Sequence, residues 1–338
     1  MSFQQNVSLK TFNTFGINAT AKSFASFSSV DELKERLAQT EKDTSLLILG
    51  GGSNLLFTGN FDGTVLKNEL HGIQLIREDE DYYYVQAAGG ENWHQLVLYC
   101  VANNYAGMEN LSLIPGSVGA SPIQNIGAYG VELKDVFYEL QAFDLQSHDV
   151  VTFTKEDCHF GYRDSVFKGK YKGRFVILSV TFRLTKKPSF HTEYGAIQQE
   201  LDKMNVSQLS IGAISQAVIN IRSSKLPDPN VVGNAGSFFK NPTIDNEQFF
   251  ELKKQSPNIA GFATDDNKTK LAAGWLIEQC GWKGYREGDA GCYEKQALVL
   301  VNYGSATGAQ IYFLSKEIID SVHQKFGVTL EREVNIIA

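Results

Sequence analysis

The chain has 338 residues, 38 of them acidic and 31 basic, and its formal net charge is -7. A single hydrophobic core rarely grows beyond about 250 to 300 residues, so we expect two or three domains. The negative charge argues against nucleic acid or an anionic lipid surface as a general partner. No apolar run approaches the roughly 20 residues that span a bilayer, and the first residues lack a signal-peptide pattern. We therefore expect a cytoplasmic protein without a membrane partner.

Two predicted strands in the amino-terminal part end in glycine. The apolar run Ser45–Leu49 leads into residues 50–54, Gly-Gly-Gly-Ser-Asn, and residues 55–57 continue as a strand or a short helix. The β-rich run Tyr82–Ala88 ends in a Gly-Gly pair, after which apolar residues from Trp93 onward recur at helical spacing. This pattern predicts a strand followed by a helix.

Residues 111–130 predict a long ordered loop. The segment contains four glycines and two prolines and almost no formal charge. Long loops without secondary structure of their own are often functional. Strand patterns resume at Val136–Asp144 and Arg174–Leu184, so the first half of the chain is predicted to be mixed α and β.

The pattern becomes more helical in the carboxyl-terminal part. A helix begins near Ser210 and ends where two prolines follow Lys225 and force an extended exit. Further helices are predicted over Leu271–Gln279 and Ala309–Gln324, with a strand over Ala297–Asn302 between them. We place a domain boundary near residues 205–212.

The two glycine-rich segments, residues 50–54 and 115–130, are candidate binding sites for a diphosphate. Glycine lets backbone N–H groups approach an anion closely, because no Cβ intervenes. The first segment lacks the lysine of a P-loop, and no G-x-G-x-x-G motif opens a helix. ATP hydrolysis and Rossmann-type NAD binding are therefore disfavoured. One such turn alone could be an ordinary tight turn, whereas the second segment favours a groove for a large flat ligand.

Cysteine and histidine spacing argues against a catalytic metal. The scattered cysteines are Cys100, Cys158, Cys280 and Cys292. Without a C-x-x-C pair they are interpreted as buried, reduced thiols, and the histidines have no metal-ligand spacing. Activation by a monovalent cation stays open. Trp93, Trp275 and Trp282 are assigned to packing.

Six motifs, in this order, make the chain resemble the UDP-N-acetylenolpyruvoylglucosamine reductase family, flavoenzymes of peptidoglycan precursor synthesis. The resemblance runs from about Asn13-Thr-Phe-Gly to the carboxyl end. The motifs are Leu49-Gly-Gly-Gly-Ser-Asn-Leu-Leu, Ile114-Pro-Gly-Ser-Val-Gly-Ala, Gly161-Tyr-Arg-Asp-Ser, Gly233-Asn-Ala-Gly-Ser-Phe-Phe-Lys-Asn-Pro, Ala273-Gly-Trp-Leu-Ile-Glu and Leu330-Glu-Arg-Glu-Val.

The resemblance implies an α+β fold. Its first part would be an FAD-binding domain of the vanillyl-alcohol-oxidase (PCMH) type, made of two subdomains, and its second part an α+β substrate-binding domain. On this basis we expect the first subdomain at residues 1–67, joined by the last strand at 328–338. The second subdomain would span 68–208 and the substrate domain 209–327. A monomer is expected.

The same resemblance implies that FAD is bound noncovalently and that NADPH is the hydride donor. FAD would lie along the two glycine-rich segments. The residues expected to bind it are Gly50, Gly51, Gly52, Ser53, Asn54, Pro115, Gly116, Ser117, Val118, Gly119, Ala120, Gln124, Asn125, Gly127, Ala128, Tyr129 and Gly130.

Three residues carry the catalytic roles that the resemblance implies. Adding hydride to an enol ether leaves negative charge beside the carboxylate, so a site needs a charge stabiliser and a proton donor. Arg163 would hold the carboxylate, Ser237 would supply the proton, and Glu333 would act as an acid or through a water. Ser237 could otherwise be a turn serine, and Glu333 a solvated charge. Alternation alone cannot choose between Glu333 and Glu331.

Seven residues are candidates for binding the UDP-sugar and, in turn, the nicotinamide nucleotide. They are Tyr162, Tyr194, Arg222, Lys225, Asn241, Lys283 and Gln296. Arg222 and Lys225 are explained equally by favourable charge at a helix carboxyl end, worth about 0.3 to 1 kcal/mol. Lys283 and Gln296 could be ordinary surface residues. A shared pocket would imply ping-pong kinetics.

Two details refine the resemblance. The Tyr194-Gly195 element resembles the long, type I form of the family, in which this tyrosine lies over the substrate. Asn335 is a departure, because many relatives have arginine there. If that arginine helps to hold FAD, this chain needs another contact.

Two other functions remain open at this point. One is a different flavin oxidase or dehydrogenase of the same fold that acts on a sugar or an alcohol. The other is a nucleotide-sugar binding protein that has lost its chemistry. An oxidase would consume dioxygen, whereas a binding protein would be colourless.

Overall fold

Two compact units, each built from separate stretches of the chain, make up the protein. The computed structural model describes residues 3–41, 43–194, 196–264 and 267–338. The first unit comprises Met1–Val7, Ala21–Gly52 and Asp62–Ser224, and the second comprises Ser8–Thr20, Ser53–Phe61 and Lys225–Ala338. The division into three parts at 67/68 and 208/209 stays a prediction.

A four-stranded sheet begins the first unit. Its order is Gln4–Ser8, Thr20–Phe27, Phe61–Asn68 and Ser45–Leu49, and the last two strands are parallel. The helix Val30–Gln39 begins at Ser29, whose hydroxyl accepts the Glu32 N–H. Apolar side chains from the sheet and this helix, including Phe27, Leu33 and Leu66, are buried together. The glycine turn at residues 50–52 therefore directly follows the strand Ser45–Leu49, and the sheet of this strand packs in a hydrophobic core.

A five-stranded antiparallel sheet forms the rest of the first unit. Its order is Val150–Thr154, Phe137–Asp144, Phe175–Thr185, Tyr82–Ala88 and Ile73–Glu78. The helix Trp93–Ala102 buries residues at positions 93, 96, 97 and 100, as the helical spacing predicts. The Trp93 ring packs edge-on against Phe182, with centroids 5.8 Å apart. The packing role predicted for Trp93 is confirmed.

The remaining elements of the first unit are short, except for one helix. They are the helices Leu133–Val136, Lys155–Cys158, Ile197–Lys203 and Ile211–Lys225 and the strands Gly127–Ala128 and Val131–Glu132. The helix Ile211–Lys225 begins one residue after the predicted Ser210. Its side chains Ile214, Val218 and Ile221 are buried against Ile197 and Leu201 of a neighbouring helix.

The described part of the second unit contains two small sheets and a separate pair of parallel strands. One sheet has the order Gly233–Ser237, Val299–Asn302, Ala290–Cys292, Arg286–Glu287; the other has Thr243–Asp245, Lys268–Leu271, Gly261–Ala263. Leu55–Phe57 is a strand and pairs in parallel with Asn335–Ile337. The helices are Asn246–Gln255, Ala273–Gln279 and Gly308–Phe326.

Three predictions needed correction. The helix predicted from Leu271 begins at Ala273, because residues 268–271 are paired as a strand. The last strand begins at Asn335 instead of Leu330, and Arg332 makes only an isolated bridge to Phe239. Cys280 is half-buried, whereas the other cysteines are buried and burial raises the pKa of each of their thiols to about 12. Among the described helices, none is both long and apolar enough to cross a bilayer.

Candidate active site

The two glycine-rich segments contact each other through their main chains in the first unit. A Cβ atom at Gly51 would lie 2.8 Å from the Cα of Gly116, and one at Gly50 would lie 2.3 Å from the Ser117 Oγ. Contacts this short are not tolerated, so only glycine fits at Gly51 without displacing the backbone. The segments that the sequence predicted to share a ligand are therefore neighbours.

The loop at residues 115–130 is ordered by hydrogen bonds to its surroundings, as predicted. The Gly119 N–H donates to the Gly89 carbonyl over 2.8 Å, and the Trp93 N–H donates to the Gly116 carbonyl over 3.0 Å. The Asn125 amide donates to the Gly161 carbonyl over 2.9 Å and accepts the Lys134 N–H over 3.0 Å. Asn125 thereby joins this loop to the segment that carries Arg163.

The lining of this loop fits an FAD molecule. The Ser117 Oγ is buried and has no hydrogen-bond partner within the part of the chain that the structure describes. A buried hydroxyl without a partner is costly, so the site suits a ligand that offers a polar atom. The close main-chain approach of Gly51 to Gly116 keeps side chains out of this contact, as expected where main-chain N–H groups hold a diphosphate. The other FAD-binding assignments in the two segments stay predictions.

We expect Gly51→Ala to weaken FAD binding about tenfold or more, because overpacking a tight contact typically costs about 1 to 3 kcal/mol. The new methyl group would meet the Gly116 main chain, which cannot yield as a flexible side chain can. FAD content after purification and FAD titration of the apoprotein would measure the effect. Gly169→Ala is the matched control, since a Cβ there meets nothing within 4 Å. Wild-type affinity in Gly51→Ala would contradict the cradle.

Arg163 has an unusual backbone conformation and lies beside the same loop. Its φ is +53°, in the left-handed region, and its Nη2 donates to the Gly127 carbonyl over 2.5 Å. A Cβ at Gly127 would come within 2.9 Å of the Arg163 Nη1. The guanidinium also lies 5.4 Å from the centre of the Tyr162 ring. The hydrogen bond to the Gly127 carbonyl thus ties the Arg163 guanidinium to the glycine-rich loop.

Arg222 joins this group, which the sequence could not decide. Its Nε donates to the Leu113 carbonyl over 3.2 Å. Burial lowers the pKa of its guanidinium, the phenol of Tyr129 opposes this shift, and the charge of Arg163 adds to it. The hydrogen bond to the Leu113 carbonyl fixes the position of Arg222, and its contact with the substrate stays a prediction.

Tyr194 also contacts the loop in the first unit. Its ring lies 3.5 Å from the position of a Cβ at Gly130, and more than half of the side chain is exposed. An exposed aromatic ring over a glycine leaves a flat face for a ligand. Gly195, the other residue of the predicted element, lies outside the described residues.

Ser237 and Glu333 lie on neighbouring backbone segments of the second unit. The Glu333 N–H donates to the Phe238 carbonyl over 2.8 Å, next to the isolated bridge between Phe239 and Arg332. Ser237 is exposed at the end of its strand, after Gly236 with a φ of +69°. The two predicted proton-handling residues are therefore brought together within this unit.

Glu331 and Glu333 have different surroundings. The Glu331 carboxylate forms an ion pair with the ammonium group of Lys240. The main-chain carbonyl of Glu333 accepts a hydrogen bond from the Asn54 side-chain amide over 3.3 Å. Asn335, found where an arginine was expected, donates through its side chain to the Asn54 carbonyl over 2.9 Å. The departure at Asn335 thus supports the turn at Asn54.

The remaining residues predicted to bind substrate, apart from Lys225, lie around the helix Ala273–Gln279. The Asn241 side chain accepts the Ala273 N–H over 3.0 Å at the start of that helix, and the Gln296 side chain lies 3.1 Å from the position of a Cβ at Gly274. Lys283 forms an ion pair of 3.0 Å with Glu278. Lys225 is exposed at the end of its own helix. Their substrate contacts stay predictions.

Sequence reasoning missed two residues near Tyr129 and Arg222, Asn110 and His94. Asn110 donates to the carbonyls of Tyr129 and His191 over 3.0 and 2.9 Å. The His94 Nδ1 accepts the Leu113 N–H over 3.0 Å. No local signal could have found these residues, because their partners are distant in sequence. Within the described ranges, no group of three or more metal-ligating side chains is found.

Two family models match the chain. The family model for the UDP-N-acetylenolpyruvoylglucosamine reductase carboxyl-terminal domain matches residues 228–337, and an FAD binding domain model matches residues 21–153. The expected fold class, an α+β FAD-binding domain with an α+β carboxyl-terminal domain, is confirmed.

Curated relatives match the chain over its whole length. UDP-N-acetylenolpyruvoylglucosamine reductases from Pseudomonas savastanoi pv. phaseolicola and Amoebophilus asiaticus are 50% and 51% identical, covering 99% and 100% of both chains. The crystal structure of the enzyme from Thermus caldophilus has the same fold, with a TM-score of 0.70 at 22% identity over 100% of both chains. The chain belongs to the UDP-N-acetylenolpyruvoylglucosamine reductase family.

Proposed function

We propose that this protein is an FAD-dependent oxidoreductase that reduces the enolpyruvyl group of UDP-N-acetylglucosamine enolpyruvate to UDP-N-acetylmuramate, with NADPH as hydride donor. The observation that carries the proposal is the glycine-built cradle beside Ser117, whose buried hydroxyl has no hydrogen-bond partner among the described residues. Full-length relatives with this activity in their names support it. The reaction would serve peptidoglycan precursor synthesis in the cytoplasm.

Bound FAD would supply hydride transfer, which the side chains of this protein cannot perform. Hydride addition to the enol ether makes the carbon beside the carboxylate negative. Arg163 would hold that carboxylate and stabilise its growing charge, because a guanidinium stays cationic and donates in a fixed fork. Its hydrogen bond to the Gly127 carbonyl orients the fork before substrate arrives.

Ser237 would then donate a proton to the carbon beside the carboxylate. A hydroxyl is a weak acid, so this step requires a strongly basic carbon held close to the Oγ atom. Glu333 would act next to it, as an acid or through a water molecule. The resemblance selects Glu333 and not its neighbour Glu331, whose carboxylate forms an ion pair with Lys240.

Other candidates would bind the rest of the substrate. We assign the UDP-sugar, and NADPH in turn, to Tyr162, Tyr194, Arg222, Lys225, Asn241, Lys283 and Gln296. A monomer that uses one pocket for both ligands would show ping-pong kinetics.

Purified protein tests the proposal directly. Anaerobic NADPH should bleach the visible absorbance of bound FAD, and the enolpyruvyl ether should restore it while gaining two hydrogens by mass. Dioxygen consumption with a sugar or an alcohol, without reaction of the enol ether, would favour an oxidase instead. Colourless protein that binds UDP-sugars but cannot be reconstituted with FAD would refute an enzymatic role.

A further inference from the structure

Leu113 has a backbone conformation that a bulky residue rarely adopts. Its φ is +58°, in the left-handed region that favours glycine. Strained positions of this kind persist when surrounding contacts determine them and are concentrated at functional sites. The contact on the amide side is the hydrogen bond of 3.0 Å from the Leu113 N–H to the His94 Nδ1. His94 lies at the second residue of the helix Trp93–Ala102, whose core positions fix it.

The same turn holds Arg222 on its carbonyl side. The Leu113 carbonyl accepts the Arg222 Nε over 3.2 Å. The hydroxyl groups of Ser112 and Ser215 are 2.8 Å apart, and both residues are buried. Since the Ser112 hydroxyl donates to the Glu109 carbonyl over 2.7 Å, the Ser215 hydroxyl donates to Ser112. The helix that carries Arg222 is therefore joined to this turn at two points.

The Nε bond leaves the other nitrogen atoms of Arg222 for a ligand. Within the described residues, this is the one hydrogen bond that Arg222 makes to protein. Burial lowers the pKa of its guanidinium most, the phenol of Tyr129 opposes this shift, and the charge of Arg163 adds to it. The orientation of the guanidinium thus depends on where the Leu113 carbonyl is held.

We propose that His94 is a positioning residue for substrate binding: its unprotonated Nδ1 holds the Leu113 turn, and the Leu113 carbonyl in turn orients Arg222 toward the anionic group of the substrate. An Nδ1 acceptor requires the neutral imidazole with its proton on Nε2, since an imidazolium would donate from both nitrogens. Burial lowers the pKa of His94, and the charge of Arg222 adds to this. The identity of the substrate in this inference, the enol ether, rests on the proposed function.

A matched pair of variants separates the acceptor from the packing. Asparagine and leucine have nearly the same shape, but the Oδ1 of asparagine occupies the place of Nδ1 and can accept the Leu113 N–H. We expect His94→Leu to raise KM for the enol ether about tenfold, because the Leu113 N–H loses its acceptor and the carbonyl that orients Arg222 is no longer fixed. His94→Asn should stay within about threefold of wild type, with kcat similar in both. If His94 only stabilised the fold, His94→Leu would lower the fraction of active protein and therefore the apparent kcat.

A double-mutant cycle tests whether His94 acts through Arg222. In an Arg222→Met background, adding His94→Leu should change KM by less than about twofold, because the two substitutions remove one interaction. Equal effects of His94→Leu in both backgrounds would overturn the proposal. So would equal KM values for His94→Asn and His94→Leu.

Histidine 15N spectra give a test that needs no turnover. The side-chain signal that disappears in His94→Asn should be that of a neutral Nε2–H tautomer at pH 7. An Nδ1–H or doubly protonated signal would overturn the proposal. If the wild-type protein does not turn over the enol ether, the proposed function is wrong. The 15N measurement of the His94 tautomer still shows in that case whether His94 accepts the Leu113 N–H.

Discussion

Arg163→Lys is expected to lower kcat/KM for the enol ether by about a hundredfold to a thousandfold, the typical effect of removing a donor aimed at a developing oxyanion. Arg163 bonds the Gly127 carbonyl through Nη2, and the rigid plane of its guanidinium fixes the direction of all its donors. A lysine ammonium is one point charge on a flexible stem and cannot do both in a fixed geometry. Flavin reduction by NADPH, followed by stopped-flow absorbance, should remain much closer to wild type.

Arg183→Lys is a suitable control for this prediction. Arg183 is exposed in the same unit and stacks over the Tyr82 ring. Lysine and arginine tolerate the left-handed conformation at residue 163 equally, so the substitution adds no backbone strain. A kcat/KM within threefold of wild type in Arg163→Lys would remove Arg163 from the carboxylate site.

Ser237→Ala is expected to lower turnover of the enol ether by about a hundredfold to ten-thousandfold, the usual range for losing a positioned proton donor. Reduction of bound FAD by NADPH should proceed at the wild-type rate, because it does not require the serine hydroxyl. The side chain is exposed, so alanine creates no cavity and the thermal unfolding midpoint should not change. Single-turnover spectra would separate the two half-reactions.

Ser305→Ala provides the comparison for Ser237→Ala. Ser305 is an exposed serine of the same unit, and its main-chain N–H, not its hydroxyl, is bonded to Asp289. The control should retain full turnover. If Ser237→Ala also reoxidises at the wild-type rate with the enol ether, the proton comes from another group, and Glu333 becomes the first candidate.

Much of the local structure follows from short-range patterns in the sequence. Tyr82–Ala88 and Ser45–Leu49 form strands with the bounds that their apolar runs indicate, and the helix from Trp93 buries the face that its spacing predicts. These elements could be predicted because periodicity records which face of a segment is buried. The glycine-rich segments were also identifiable, since close main-chain approach excludes any side chain.

Boundaries at the chain end were less predictable. The run from Leu330 has a strand pattern, but pairing with Leu55–Phe57 begins only at Asn335. Similarly, Leu271 belongs to a strand that ends where the Asn241 side chain caps the next helix. Pairing partners and caps from distant residues decide such limits, and periodicity contains no information about them.

The sequence by itself determined the family, the glycine cradle and the identity of the candidate catalytic residues, because these depend on residue types in a fixed order. Only the tertiary structure showed that Glu331 forms an ion pair with Lys240. It also revealed the hydrogen bonds that join Arg222 and His94 to Leu113. Charge pairing and hydrogen bonding between residues far apart in the chain arise only when the fold brings them together, which is why no local pattern records them.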